Sequence, residues 1–258
     1  MGRRPGALAP PRPRLYASLM IAALANPHRF MAFSRWAAPV LGGLAAVLIV
    51  VGLALGAAAP PDYQQGETVR IMFVHVPAAW TAMLAYGCLG GASFFSLVFR
   101  HVLADAAAKA AAPLGAAFTL LALITGSLWG RPMWGAWWVW DARLTSVLVL
   151  FLLFVGYLAL RASIEDEAKG ARAGAILALI GLINLPIVKF SVEWWNTLHQ
   201  GESIFRAGGP TLAAVYLIPL AIVGAGYSAA FGALWMTRTR AEVWRRRAAS
   251  LGMQAAFR

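Results

Sequence analysis

Six long apolar stretches divide the chain, with short polar loops between them. They cover roughly 36–58, 76–99, 112–128, 144–160, 173–188 and 211–236. A helix crosses a bilayer with about 20 mostly apolar residues. Each stretch meets or approaches that length, and the flanks of the third, fourth and fifth can extend them. The pattern predicts an all-α membrane protein of six transmembrane helices. Asn184, beside Pro186, is the main polar interruption within a span, and a helix kink accounts for it. No internal repeat is visible.

Composition agrees with that pattern. Only 12% of residues are charged and 60% are hydrophobic, whereas a soluble domain is about 25% charged. The formal net charge of +12 would suggest nucleic acid as the partner of a soluble protein. Here the arginines gather at the ends. Arg3, Arg4, Arg12, Arg14, Arg29 and Arg35 precede the first span, and Arg238, Arg240, Arg245, Arg246, Arg247 and Arg258 follow the last. Six spans put both ends on one side, together with the loops 100–111 and 161–172. That side carries 17 of the 22 basic residues, so both termini are expected in the cytoplasm. The charge therefore reflects topology and membrane lipid, and no nucleic-acid partner is expected.

The expected organisation is a Pro/Arg-rich cytoplasmic lead (1–35), a six-span membrane domain (36–236) and a basic cytoplasmic tail (237–258). The run Leu15–Ala25 after Arg3 and Arg4 has the length of a signal-peptide core. Arg29 and Arg35 behind it oppose export, so the lead is read as cytoplasmic, with room for a short surface helix. Cys88, the only cysteine, excludes an intrachain disulfide, a C-x-x-C pair and a thioether-bound haem. No phosphate-binding loop of the G-x-x-x-x-G-K-[ST] type is present.

The three loops on the other side carry the chemistry. Seven of the eleven tryptophans lie in the second and third: Trp129, Trp134, Trp137, Trp138, Trp140, Trp194 and Trp195. A short surface helix starting near Pro132 would place Trp134, Trp137, Trp138 and Asp141 on one face. Composition alone leaves an interfacial aromatic belt and a binding face both open. His75 stands just before Val76-Pro77, where the second span begins, and a helix N-terminus there favours a neutral imidazole. His199 follows Trp195 by four residues, which a helical turn would bring to one face. A single histidine at a membrane surface is an ordinary polar residue. Two beside indole-rich loops fit one flat, iron-bearing ligand, haem with two axial imidazoles. Arg70 and Arg143 either pair with its propionates or snorkel from the span ends.

These residues carry a resemblance. WGRPMWGAWWVWDARLTS, flanked by DYQQGETVRIMFVHVPAAW and NLPIVKFSVEWWNTLHQG, resembles the "WWD" signature of the cytochrome c maturation protein C family, also called haem exporter protein C. The likeness covers roughly 60–210. It implies six transmembrane helices in the bacterial inner membrane, with the WWD loop in the periplasm. It implies haem b, held non-covalently between His75 and His199. It also implies functional roles for Arg70 and Arg143, and for Trp129, Trp134, Trp137, Trp138, Trp140 and Asp141. The family is not enzymatic. It presents haem to a periplasmic haem chaperone, maturation protein E, and works beside the ABC-transporter subunits A and B and the small membrane protein D. The Pro/Arg-rich lead departs from the family pattern without touching the site. A WWD-type haem lyase would have a longer chain with more spans. A b-type electron-transfer cytochrome would bury its histidines mid-span, and a haem permease would need a polar path.

Overall fold

The computed structural model describes residues 26–199, 201, 203–204 and 208–256. The lead's first 25 residues, including the run Leu15–Ala25, lie outside the described residues. Six helical spans long and apolar enough to cross a membrane are present, as the pattern predicted. No strand occurs among the described residues. The helices are α1 (Pro27–Ala58), α2 (Met72–Phe99), α3 (Val102–Trp134), α4 (Ala142–Ser163), α5 (Glu167–Gly181), α6 (Asn184–Trp194) and α7 (Ala214–Ala256). A short 3-10 helix, Glu67–Ile71, leads into α2.

Several helices run past the apolar stretches that announced them. Asn26 caps α1 by accepting from the His28 N–H at 2.9 Å, and Pro27 occupies the first helical position, where no amide is needed. The fifth span is broken, and α5 and α6 share it. The break lets Pro186 fall in the first turn of α6, where its missing N–H costs no hydrogen bond. Asn184 is buried at the break and donates to the Ser146 carbonyl at 2.9 Å, which ties α6 to α4. The polar interruption is thus a satisfied joint.

The bundle centres on α2, α3, α4, α5 and α7, where Tyr86, Leu150, Phe154 and Tyr157 are fully enclosed. Tyr86 and Phe154 meet edge to face at 4.9 Å. Alanines of α3 let the aromatic rings close in. The helix α1 lies mainly along α7, and Gly52 permits that approach: a Cβ there would stand 2.6 Å from Val223. Packing of small residues, rather than hydrophobic force, holds helices together in lipid.

The two ends of the bundle differ. At the basic end Asp105 is gripped by Arg161 and Arg246, and Glu242 binds Arg245 at 2.7 Å, Arg246 at 2.8 Å and Lys109 at 3.3 Å. Arg245 also pairs with Glu167. These contacts fasten α7 to α3, α4 and α5. The opposite end carries most of the tryptophans and opens into a cavity.

Candidate functional site

The cavity occupies about 820 Å³ between α2, α3, α4 and α6, with the loops before α2 and after α6 at its mouth. That volume lies within the range of small-molecule sites. His75 and His199, far apart in sequence, both line it. So do Trp129, Trp134, Trp138 and Arg143. Deeper in, Val76, Trp80, Met83 and Val147 make it apolar.

His75 belongs to the first turn of α2, which starts before the expected Val76. Its Nδ1 lies 3.0 Å from the Ala122 carbonyl and 3.1 Å from the Thr125 hydroxyl on α3. The carbonyl can only accept, and Thr125 already donates to the Leu121 carbonyl at 2.7 Å. Nδ1 therefore carries a proton, and in the neutral ring Nε2 keeps its lone pair, an assignment made from the hydrogen-bond network. The ring packs edge-on to Trp129 at 5.7 Å. Trp129 is itself held by its indole N–H donating to Gln65 Oε1 at 3.0 Å. Gly126 leaves room for the imidazole, since a Cβ there would come within 2.9 Å of His75 Cε1.

His199 is set up in parallel fashion from another part of the chain. Its Nδ1 lies 3.4 Å from Asp141 Oδ2, which also accepts from the Leu198 N–H at 3.3 Å. The other oxygen of Asp141 accepts from the Leu144 N–H at 2.7 Å and caps α4. One carboxylate thus starts a helix and orients an imidazole, leaving Nε2 of His199 without a partner among the described residues. Trp134 stands edge-on to this ring at 4.8 Å. Burial holds the His199 pKa below the ordinary histidine range. Asp141 works against that shift, and the nearby Arg143 guanidinium adds to it. The ring is neutral at pH 7.

The expected surface helix from Pro132 is absent, and so is its single indole face. The helix α3 carries Pro132 in its last turn and stops at Gly135, whose φ of 77° is left-handed. Glycine takes that conformation without a steric penalty. Asp141 must be extended to cap α4, so residues 136–141 cannot be helical. The tryptophans separate as a result. Trp129, Trp134 and Trp138 line the cavity, whereas Trp137 and Trp140 are 57% and 74% exposed. Trp137 lies 6.0 Å from the Arg131 guanidinium, and Trp140 packs on Trp138 at 5.4 Å. Trp195 does not share a helical face with His199, because α6 ends at Trp194.

The two arginines also part ways. Arg143 lines the cavity, and donates to Ser191 Oγ at 3.0 Å and the Lys189 carbonyl at 3.3 Å. Arg70 lies outside the lining and pairs with Glu67 at 2.7 Å in the 3-10 helix. Asp141 stands behind His199 rather than in the lining. Sequence reasoning missed Gln65, Thr125, Gly126 and Lys189. Thr125-Gly126 was a visible polar and small pair inside an apolar span, but the partners they serve are remote in sequence.

Together these residues form a cavity with two imidazoles in its lining, indoles against each, and a cationic, carboxylate-free lining among the described residues. The profile of the Heme exporter protein C family matches residues 20–254. The chain is 54% identical over 235 residues to the heme exporter protein C of Bradyrhizobium diazoefficiens, covering 91% of this chain and 89% of that protein. It is 46% identical to that of Paracoccus denitrificans, over 88% of this chain and 95% of the relative. It is 51% identical to that of Escherichia coli K12, over 70% and 74% respectively. The chain belongs to the Heme exporter protein C family.

Proposed function

We propose that the cavity receives haem b, non-covalently, as cargo, with His75 and His199 as axial ligands of the iron. The observation that carries this reading is the paired arrangement of the histidines. Both line one cavity, and each has its Nδ1 engaged by an acceptor behind it, so each offers Nε2. That is how proteins orient metal-binding histidines. The rest of the lining suits the same ligand. Arg143 and Lys189 complement propionates, and Trp129, Trp134 and Trp138 offer apolar faces to the porphyrin. The Trp138 indole N–H is buried without a partner, a donor that an acceptor on the cargo would satisfy. The relatives' names point to haem handling and to membership of an export complex.

In this reading the tryptophan end faces the periplasm and both termini lie in the cytoplasm of a bacterium's inner membrane. The protein transports rather than catalyses. It delivers haem to the periplasmic chaperone, maturation protein E, in concert with the ABC subunits A and B and protein D. The exposed Trp137 and Trp140 then belong to the docking face, and Trp129, Trp134 and Trp138 to the porphyrin. Arg70, at the rim, acts there rather than in the cavity. Both histidines stand at one end of the bundle, which distinguishes it from a cytochrome with mid-span ligands. The test is co-purification with the chaperone. Wild-type protein should yield a haem-bearing complex that the His75→Ala and His199→Ala variants lose. A complex unaltered by both substitutions would leave this subunit a structural role only.

A further inference from the structure

A second cavity, of about 540 Å³, lies at the basic end between α1 and α7, and it has no part in the haem reading. Its lining is Met31, Ala32, Arg35, Trp36, Arg240 and Trp244. Two features set it apart from the ion-paired cluster nearby. The first is that its arginines meet no carboxylate among the described residues. No acidic residue precedes Asp62 in the chain, and Glu242 is the only one after Met236. Glu242 is taken up by Lys109, Arg245 and Arg246. Arg35 has no ion pair among the described residues. Among the described residues Arg240 reaches only the Ser34 carbonyl, at 3.4 Å, and its buried Nε has no partner there. A buried, charged N–H left unpaired is costly.

The second feature is where the cavity sits. Arg35 and Trp36 stand at the start of the apolar run of α1, and Arg240 and Trp244 lie just beyond the end of that of α7. Arg240 and Trp244 are one turn apart on the same helix and so share a face. Both indoles are more than half exposed, at the depth where tryptophan meets lipid headgroups.

We propose that this cavity binds the phosphodiester headgroup of an anionic phospholipid, Arg35 and Arg240 pairing with its phosphate and Trp36 and Trp244 flanking its glycerol backbone. Guanidinium suits a phosphate's spaced oxygens, and the headgroup would supply the acceptor that Arg240 Nε lacks. Such a lipid would also fasten α1 to α7 beside the ion cluster.

The full chain, purified in detergent and stripped of lipid, is titrated with phosphatidylglycerol and with phosphatidylcholine, and retained lipid is read by native mass spectrometry. The wild type should retain phosphatidylglycerol preferentially. Arg35→Gln and Arg240→Gln should each weaken it roughly fivefold, and Arg35→Lys should restore most of the loss. Should Arg240→Gln not fold, the exposed Arg35→Gln carries the test. Equal retention of the two lipids, or an unaltered preference in Arg35→Gln, overturns the proposal. Displacement of the lipid by inorganic phosphate would reveal a free-anion site and overturn the lipid assignment. So would protection of Trp36 and Trp244 by a co-purifying protein instead of lipid.

Discussion

At the basic end of the bundle, Asp105 and Glu242 are surrounded by Arg161, Arg245, Arg246 and Lys109. At the tryptophan end, Asp141 holds His199, and Ala122 and Thr125 hold His75. Both regions contain charged or polar groups inside an apolar bundle. Within that ion cluster the charges answer one another, and none of its members is left to offer a ligand. In the second, the hydrogen bonds all engage Nδ1, and each imidazole keeps Nε2 without a partner among the described residues. A saturated network fixes helices; a network saturated on one side only presents a binding group. The difference lies in connectivity rather than in the number of polar residues.

The comparison breaks most visibly at Asp105. Asp105→Ala leaves the buried Arg161 without its carboxylate, where removing one partner costs about 3–5 kcal/mol, whereas Arg246 keeps Glu242. Thermal unfolding in detergent should show the loss, while protein that remains folded keeps its haem absorbance. Asp141→Asn should do the reverse. Asparagine still caps α4, so the unfolding midpoint stays near wild type, but the charge behind His199 is gone. Haem affinity should fall about 10–100-fold, as for other outer partners of ligating histidines, read by spectral titration.

Gly126→Ala is a finer probe, because the added methyl presses on His75 Cε1 and tilts the ring from its rotamer. A roughly two- to tenfold weaker titration is expected, and the Asp105 cluster should be unaffected. The smallest effect concerns pH. His199 has a lowered pKa in the folded protein, so protons compete for its nitrogen only below that value. Haem retention should stay level as pH falls to about 6.5, where an ordinary histidine is already half protonated, and decline only below it. The same sign makes His199 a source of stability that is lost on acidification. A decline centred at or above that pH would show an exposed imidazole.

The spans could be read from the sequence, because span length and apolar runs are local properties. The joint at Asn184 and Pro186 was visible for the same reason. The ion cluster could not be read this way, since Asp105 meets Arg246 across 141 positions. The surface helix from Pro132 was misjudged because a 3.6-residue spacing of tryptophans outweighed two stronger local signals. Gly135 is a stop, and Asp141 ahead of an apolar run is a start. His75, His199 and Arg143, singled out from the sequence, all line one cavity. The supports were not legible: Gln65 reaches Trp129 across 64 positions, and Ala122 serves His75 across 47. Hydrogen bonds of that range depend on how the helices pack, and no periodicity records them. Arg70 shows the converse, a residue implied by likeness whose nearest partner, Glu67, is local.

In the proposed function His75 and His199 together hold the iron. The most direct measurement is the absorbance spectrum of purified, haem-loaded protein, for wild type and for His75→Ala and His199→Ala separately. A six-coordinate spectrum is expected for the wild type. Each variant should lose that signature and retain less haem, with an unfolding midpoint that still reports an intact bundle. Wild-type spectra in both variants would contradict that ligation.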